Sequence, residues 1–413
     1  MYPKIKNIKA RQIIDSRAVP TIETDIELED GSMGRAAVPS GASTGETEAK
    51  ELRDEDLKNY NGKGVSLAIE YTEGKIKDSI VNKSFTQKEL DEKLIEIDGT
   101  TNKSHLGANT ILALSLSYSV SLANHKKIPL YLHLKEEFAE SKSMPKPMFN
   151  ILNGGVHADS GLSFQEFMIV PSKETFSGSL KCGVEIYQSL KKLLNKKGLK
   201  TSVGDEGGFA PTLEKNEEAL ELIIEASENI GYIAGEDYEL ALDIAANEIS
   251  KEEKYLYNGE YLEKSVFISK IKDLTDKYPM ISIEDPLNEK DKEGFININQ
   301  LIGDKVTIVG DDFLVTDPEK IEKSGQEKST KGVIIKPNQI GTLTETLTAI
   351  KTAFYSGISP IVSHRSGETE DVSISHIAVA ANVPMIKFGA PARGERTAKY
   401  NELLRIEEEL FRR

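Results

Sequence analysis

Met280-Ile-Ser-Ile-Glu284 and Gly332-Val-Ile-Ile-Lys336 belong to a set of six short apolar runs that each end in a polar or charged residue. The other four runs are Glu239–Asp243, Val306–Asp311, Pro360–His364 and Pro384–Lys387. Successive runs end 23 to 41 residues apart, and helical patterns such as Leu343–Ala353 lie between most of them. Continuous Val/Ile/Leu runs are typical of parallel strands that are buried on both faces. The repeat therefore predicts a parallel β/α barrel.

The ends of these runs predict a functional site. Active sites of β/α barrels lie at the C-terminal ends of the strands. For a single strand, a charged residue that marks where the strand meets water is the simpler explanation. Six strands in succession, with acids first and bases later, favour one shared mouth. Closure of the barrel would bring together Asp243, Glu284, Asp311, Lys336, His364 with Arg365, and Lys387.

The acidic part of this set predicts a metal site. Three carboxylates that converge on one point, those of Asp243, Glu284 and Asp311, cannot all stay ionised without a cation. They are hard oxygen ligands with no thiolate or imidazole among them, so Mg²⁺ is the natural ion.

The basic part of the set predicts what the metal site would act on. A lysine near cations has a lowered pKa, so Lys336 or Lys387 could serve as a base. Arg365, with Ser366 beside it, offers a fork for a phosphate or a carboxylate. A metal, a lysine base and an anion clamp together indicate removal of a proton next to a carboxylate, because the charge of the product requires a divalent ion.

The first part of the chain, residues 1–135, predicts a smaller α+β domain. Thr21–Leu28 alternates like a strand, and Met33–Val38 returns after a turn. Helical patterns follow over Val65–Ile80, Thr86–Asp98 and Asn109–His125. The small-residue loop 40–45 is either a plain linker or a mobile lid. The polar, proline-containing segment Ser141–Pro147 predicts a boundary, so that residues 136–413 form the barrel domain.

Composition limits the partners and the compartment. The 413 residues include 67 acidic and 52 basic ones, a net charge of −15, which argues against nucleic acid as a partner because its phosphates would be repelled. We expect no membrane association, because the start has no signal-peptide pattern and the most apolar stretch, Ala108–Ala123, is too short to span a bilayer. The single cysteine, Cys182, indicates a reducing cytoplasm.

The sequence resembles the enolase family from about Ile8 to Leu410. The resemblance rests on the order and spacing of several motifs. These are Ser40-Gly-Ala-Ser-Thr-Gly45, Asn153-Gly-Gly-Val-His-Ala158, Gln165-Glu-Phe-Met-Ile169, Val203-Gly-Asp-Glu-Gly-Gly208, Ser282-Ile-Glu-Asp285, Val309-Gly-Asp-Asp312, Ile335-Lys-Pro-Asn-Gln-Ile-Gly341, Ser363-His-Arg-Ser-Gly-Glu-Thr-Glu-Asp371 and Ala398-Lys-Tyr-Asn401.

The resemblance implies a reaction, the Mg²⁺-dependent dehydration of 2-phosphoglycerate to phosphoenolpyruvate. Lys336 would be the base that takes the C2 proton, and Glu206 the acid that protonates the leaving C3 hydroxyl. Two Mg²⁺ ions per site are implied, one on Asp243, Glu284 and Asp311 and a second, substrate-dependent one on Ser43. Lys387 would bind the substrate carboxylate; Arg365 and Ser366, helped by His364, would bind the phosphate; His157, Gln165 and Glu166 would contact substrate or water.

The resemblance also implies a cytoplasmic homodimer. Octamers and a secondary surface or secreted pool occur in the family. Glu23 and Arg405 would pair across the dimer interface. Two alternatives stay open, an enolase-like paralogue that acts on a related phospho- or phosphono-acid, and a binding protein without catalysis.

Three departures from the family pattern bear on these alternatives. Asp15-Ser-Arg-Ala-Val-Pro-Thr21 has Ala18 and Val19 where the family usually has Gly and Asn. Losing Gly removes ready access to positive φ, so we expect the local turn to differ. Phe388 stands where Thr is usual, and we expect it to reshape the pocket beside Lys387. Asn247 stands where Ser is usual.

Overall fold

A computed structural model describes residues 2–41, 45–138, 143–155 and 160–411. The predicted second-metal ligand Ser43 and the predicted substrate contact His157 lie outside these ranges. The N-terminal part begins with three antiparallel strands in the order β1-β2-β3. Their bounds are Ile5–Ile14 for β1, Pro20–Leu28 for β2 and Met33–Ala37 for β3.

Among the described residues, five α-helices follow these strands before the barrel begins. They are α1 (Ser66–Tyr71), α2 (Lys77–Ile80), α3 (Gln87–Asp98), α4 (Ala108–Lys126) and α5 (Leu130–Lys135), with a short 3₁₀ turn at Tyr60–Gly62 before them. The predicted helix Val65–Ile80 is interrupted by a π-helical turn, Thr72–Ile76, because Gly74 leaves helical geometry at φ −105°. The capping box of Thr86 and Glu89 starts α3, close to the prediction.

The helix α4 is buried on nearly all sides, as its apolar sequence predicts. It packs on the sheet, where Thr24 Oγ1 and Ser117 Oγ are hydrogen-bonded at 2.9 Å. The close approach requires Gly34, since a Cβ there would lie 1.9 Å from the carbonyl oxygen of Ser117. This packing leaves no room for a side chain between β3 and α4.

The second part of the chain is a closed eight-stranded barrel with helices around it. Its strands are β4 (Lys146–Asn153), β5 (Glu166–Pro171), β6 (Tyr238–Asp243), β10 (Met280–Glu284), β11 (Thr307–Gly310), β12 (Gly332–Ile335), β13 (Ser359–Ser363) and β14 (Met385–Lys387). A small antiparallel sheet, β7 (Ser250–Lys251), β8 (Lys254–Tyr257) and β9 (Glu260–Glu263), lies between β6 and β10 in the chain.

In the described part of the chain, ten α-helices accompany the barrel. They are α6 (Phe176–Lys196), α7 (Asn216–Glu228), α8 (Ala246–Ile249), α9 (Lys264–Lys277), α10 (Lys292–Ile302), α11 (Pro318–Glu327), α12 (Pro337–Ile340), α13 (Leu343–Tyr355), α14 (Ser373–Ala380) and α15 (Gly394–Phe411). The N-terminal part is tied to α13, because Asp91 accepts a hydrogen bond from the backbone of Thr344 at 3.0 Å and Lys103 pairs with Glu345 at 2.9 Å.

The prediction of a barrel is confirmed, but the prediction that it is parallel throughout is wrong for one strand. β5 pairs antiparallel with both β4 and β6, whereas the other six pairings are parallel. Only residues 154–165 separate β4 from β5. A parallel neighbour needs a crossover of a dozen or more residues, usually an α-helix, and the described residues of this connection, 154–155 and 160–165, contain no α-helix. The chain therefore turns back before it enters the regular strand–helix repeat.

The acid Asp25 in β2 gives a prediction for stability at low pH. Burial raises its pKa, but hydrogen bonds from Arg35 (2.7 Å) and Arg11 outweigh burial and lower the pKa to about 2. The ionised carboxylate therefore stabilises the fold above the unfolded pKa, and this stabilisation is lost as pH falls through about 2. We expect Asp25→Asn to lower the free energy of unfolding at pH 7 by about 2 kcal/mol. Urea titrations should show this difference shrink below pH 4; a constant difference would contradict the assignment.

Candidate active site

The mouth at the C-terminal ends of the barrel strands collects most of the predicted site residues. Asp243 ends β6, Glu284 ends β10 and Lys387 ends β14. Ten predicted residues line one pocket there: Gln165, Glu166, Glu206, Asp243, Asp311, Lys336, His364, Arg365, Ser366 and Lys387. Glu284 is not part of the pocket wall and reaches the group through Lys387.

Lys387 is the centre of the acidic half of the pocket. Its Nζ lies 3.0 Å from Asp243 Oδ2, 2.8 Å from Glu284 Oε2 and 3.3 Å from Glu166 Oε1. Burial lowers the pKa of Lys387, but the charges of these carboxylates outweigh burial and raise it. Burial and the charge of Asp243 raise the pKa of Glu284. One ammonium thus serves three buried carboxylates.

Lys336 follows β12 and pairs with Asp311, which follows β11. Burial lowers the pKa of Lys336, but Asp311 outweighs burial and the pKa is raised. The lowered pKa expected from the sequence applies to an amine beside a bound cation, so it stays a prediction. The expectation placed cations beside the amine, whereas its nearest charged partner in this structure is a carboxylate.

The donor set fits a hard divalent cation. Buried carboxylate oxygens outnumber the ammonium groups that contact them, and such oxygens are the ligands that Mg²⁺ prefers. Gln165 adds an amide whose Oε1 is buried and makes no hydrogen bond among the described residues. Asp285, Asp311 and Asp312 each bring one oxygen within 4.8 Å of the others. This triad differs from the predicted one in two members, because Lys387 lies between Asp243 and Glu284.

Glu206 lies in the same pocket beside His364. Its Oε2 accepts a hydrogen bond from Asn150 Nδ2 at 2.8 Å and lies 3.4 Å from His364 Nε2. Burial, followed by the charge of Glu206, raises the pKa of the neighbouring Glu166. Besides the lysine–carboxylate pairs, the pocket therefore holds a carboxyl group that accepts a hydrogen bond from an amide and lies beside an imidazole.

The guanidinium of Arg365 is buried and already has a carboxylate partner. Its Nη1 donates to Glu48 Oε2 at 3.0 Å and to Asn338 Oδ1 at 3.3 Å. Glu48 also accepts a hydrogen bond from Gln339 Nε2 at 3.1 Å. A Glu from the N-terminal part thus reaches the barrel mouth and contacts the predicted anion clamp.

Three of the residues that hold the site together were not predicted from the sequence. Asp285 accepts hydrogen bonds from the backbone of Asp311 (2.9 Å) and Asp312 (2.8 Å), and Gln339 Nε2 donates to Asp311 Oδ1 at 2.9 Å. Asp285 and Gln339 lie inside motifs that were recognised for their neighbours, so the signal was present. Glu48 carried no signal, because its partners come from distant parts of the chain.

The turn at Asp15–Val19, which departs from the family pattern in sequence, contains a residue in the left-handed region. Ala18 has φ 59° between hydrogen bonds that join Asp15 and Val19. Next to it, Arg17 Nη2 donates to the carbonyl oxygens of Ser40 and Gly41, both at 3.1 Å. The turn therefore supports the start of loop 40–45, and the expected difference from the shape usual in the family stays a prediction.

We expect Ala18→Gly to raise the free energy of unfolding by up to about 1 kcal/mol. An L-residue pays about 1–2 kcal/mol in the left-handed region, and the greater freedom of glycine in the unfolded chain offsets part of the gain. Urea unfolding measures the change. Ala10→Gly, in the extended strand β1, is the matched control and should destabilise instead. An equal loss of unfolding free energy in Ala18→Gly and Ala10→Gly would contradict this expectation.

The other two departures have different outcomes. Phe388 is fully buried with its ring 6.1 Å from that of Tyr400, and it does not line the pocket. The expectation that it reshapes the pocket is wrong, because neighbouring residues of a strand face opposite sides and Lys387 takes the inner side. Asn247 does reach the site, since its Nδ2 donates to Asp312 Oδ2 at 2.9 Å. Burial and Asp311 raise the pKa of Asp312 to about 7.

Family models agree with this architecture over almost the whole chain. Residues 5–134 match the model described as enolase, N-terminal domain, and residues 141–413 match the one described as enolase, C-terminal TIM barrel domain. Within the described ranges, every helix is too short or too polar to cross a membrane. With both domain models matched in the expected order, the chain belongs to the enolase family.

Proposed function

We propose that this protein is a hydro-lyase that converts 2-phosphoglycerate to phosphoenolpyruvate with Mg²⁺. The observation that carries the proposal is the composition of one pocket: an amine on a strand end, a cluster of buried carboxylates, a second acid beside a histidine, and a buried guanidinium. Family membership supports the lyase class. The pocket chemistry supports the specific reaction.

The two proton-transfer roles are assigned to opposite parts of the pocket. Lys336 Nζ takes the proton from C2 of the substrate, and the electrons of that bond form the C2–C3 double bond. Glu206 gives a proton to the C3 hydroxyl, which leaves as water. Lys336 must be neutral to accept the proton, so its contact with Asp311 has to weaken when that carboxylate engages another cation.

The carboxylates are assigned to metal binding. Asp243, Glu284 and Asp311 would hold one Mg²⁺, and Ser43 would contribute to a second. When bound, the metal would neutralise the negative charge that grows on the substrate carboxylate. Lys387 is well placed to bind the same carboxylate if metal binding takes over Asp243 and Glu284, two of its three acidic partners.

The remaining residues are assigned to orienting the substrate. Arg365 and Ser366, with His364, would bind the phosphate, for which a guanidinium is a strong bidentate partner. That assignment requires the phosphate to compete with Glu48 for Arg365. Gln165 and Glu166, together with His157, would contact substrate or catalytic water.

The test is a coupled assay of the purified full chain with 2-phosphoglycerate. We expect turnover with Mg²⁺, its loss in EDTA, and its recovery when Mg²⁺ is added back in excess. No turnover at saturating Mg²⁺ would overturn the proposal. The same assay with related phospho- and phosphono-acids tests the paralogue alternative, which Phe388 no longer favours because it lies in the core.

A further inference from the structure

Arg396, in the first turn of α15, is the largest fully buried side chain among the described residues. Its guanidinium joins α15 to two segments of the barrel mouth. Nη1 lies 2.6 Å from His364 Nδ1 and donates to the carbonyl oxygen of Arg365 at 2.6 Å. Nη2 donates to the carbonyl oxygens of Ser366 (2.7 Å) and Asp205 (3.1 Å). Arg396 has no role in the function proposed above, so these contacts are not explained by it.

The contact between Arg396 and His364 fixes where the histidine carries its proton. A guanidinium is always protonated in a protein and can only donate. His364 Nδ1 must therefore be the acceptor, so the neutral ring carries its hydrogen on Nε2. That Nε2 has no hydrogen-bond partner among the described residues, and it lies 3.4 Å from Glu206 Oε2.

The charges around the ring agree with a neutral imidazole. Burial lowers the pKa of His364, Glu206 partly opposes this, and Arg396 and Lys387 lower it further, to about 4. A doubly protonated ring would present a second N–H to the guanidinium at 2.6 Å, which both charge and geometry disfavour.

The same geometry places two N–H groups beside Oε2 of Glu206. Asn150 Nδ2 donates to this oxygen at 2.8 Å, and the Nε2–H of His364 lies 3.4 Å away, outside hydrogen-bond geometry. The tautomer of His364 therefore decides whether an N–H or a nitrogen lone pair stands next to Oε2.

We propose that Arg396 is a positioning residue for the acid step. It holds His364 in the Nε2–H tautomer, so that the ring places an N–H, and not a nitrogen lone pair, 3.4 Å from Oε2 of the acid Glu206. Its bonds to the carbonyls of Asp205 and Ser366 hold the Glu206 loop and the anion-clamp loop in register. The inference rests on the proposed role of Glu206 as the acid.

The first test reads the tautomer without any activity measurement. The full chain is labelled with ¹⁵N-histidine, and the ring nitrogens of His364 are assigned by comparison with His364→Gln. We expect a single Nε2–H form at neutral pH in the wild type and a mixture of tautomers in Arg396→Met. An unchanged His364 signal in a folded Arg396→Met protein would overturn the proposal. Arg396→Lys keeps the charge but not the fork, and it should give an intermediate spectrum if the methionine variant does not fold.

The second test does not require Arg396 to be changed. The side-chain amide nitrogen of Gln at position 364 can replace the Nε2–H donor, whereas that of Asn can replace only Nδ1. We expect His364→Gln to keep a kcat at least about tenfold above that of His364→Asn, with similar KM values, because only glutamine keeps an N–H beside the carboxyl group of Glu206. Equal kcat values would overturn the proposal. Wild-type protein inactive on 2-phosphoglycerate would instead defeat the proposed function, and the spectroscopic result would still stand.

Discussion

Replacement of Lys336 by alanine is expected to lower kcat for 2-phosphoglycerate by about 10²–10⁴-fold, the usual contribution of a positioned general base. The variant removes the only amine that contacts Asp311 among the described residues. Because the ammonium would no longer occupy that carboxylate, Mg²⁺ affinity should stay the same or increase. The coupled assay and a calorimetric Mg²⁺ titration together separate loss of the base from loss of the metal.

Lys331→Ala is the matched control for this variant. Lys331 precedes β12 at the opposite end from Lys336, and its Nζ contacts only the carbonyl of Gly303 and the exposed Asp304 among the described residues. We expect its kcat to stay within about twofold of the wild type, as for most surface changes. Wild-type turnover in Lys336→Ala would show that the base is elsewhere.

Replacement of Lys387 by methionine is expected to destabilise the metal-free protein by about 3–5 kcal/mol, the usual result of removing one partner from a buried ionic cluster. The change would leave the carboxylates of Glu166, Asp243 and Glu284 without the ammonium that lies within 3.3 Å of each. A divalent cation on the same carboxylates should restore part of the loss. We therefore expect Mg²⁺ to raise Tm more in this variant than in the wild type.

Lys399→Met supplies the control for that experiment. Lys399 is equally buried and pairs with Glu368 at 2.8 Å, away from the predicted metal ligands. In EDTA, we expect Lys399→Met to lower the stability of the protein by a comparable amount. Mg²⁺ should raise the Tm of this variant only as much as it raises that of the wild type. An identical Mg²⁺ response in both variants would place the metal away from the carboxylates around Lys387.

Much of the fold was predictable because its signals are local. The runs that end at Asp243, Glu284, Lys336 and Lys387 show the composition of parallel strands. The C-terminal ends of such strands lie together at one face of the barrel. The reversed strand β5 was missed because it has no crossover helix and breaks the repeat. The side chosen by Phe388 was predictable from strand alternation, had Lys387 been used as the reference.

The pairing of charges within the site was not predictable in the same way. Glu48 meets Arg365 across 317 positions of sequence, and Arg396 reaches both the Glu206 loop and the His364 loop from the last helix. Such contacts depend on where the N-terminal part sits on the barrel and on how buried side chains share a few partners.

The sequence by itself determined the barrel, the residues at its mouth and the family, because strand length, strand spacing and motif order are written along the chain. Only the tertiary structure decided that Lys387 joins three carboxylates, that Asp311 raises the pKa of Lys336, and that Arg396 orients His364. The physical reason is that charge and proton location depend on distances of about 3 Å between groups far apart in sequence, and these distances exist only once the barrel has closed.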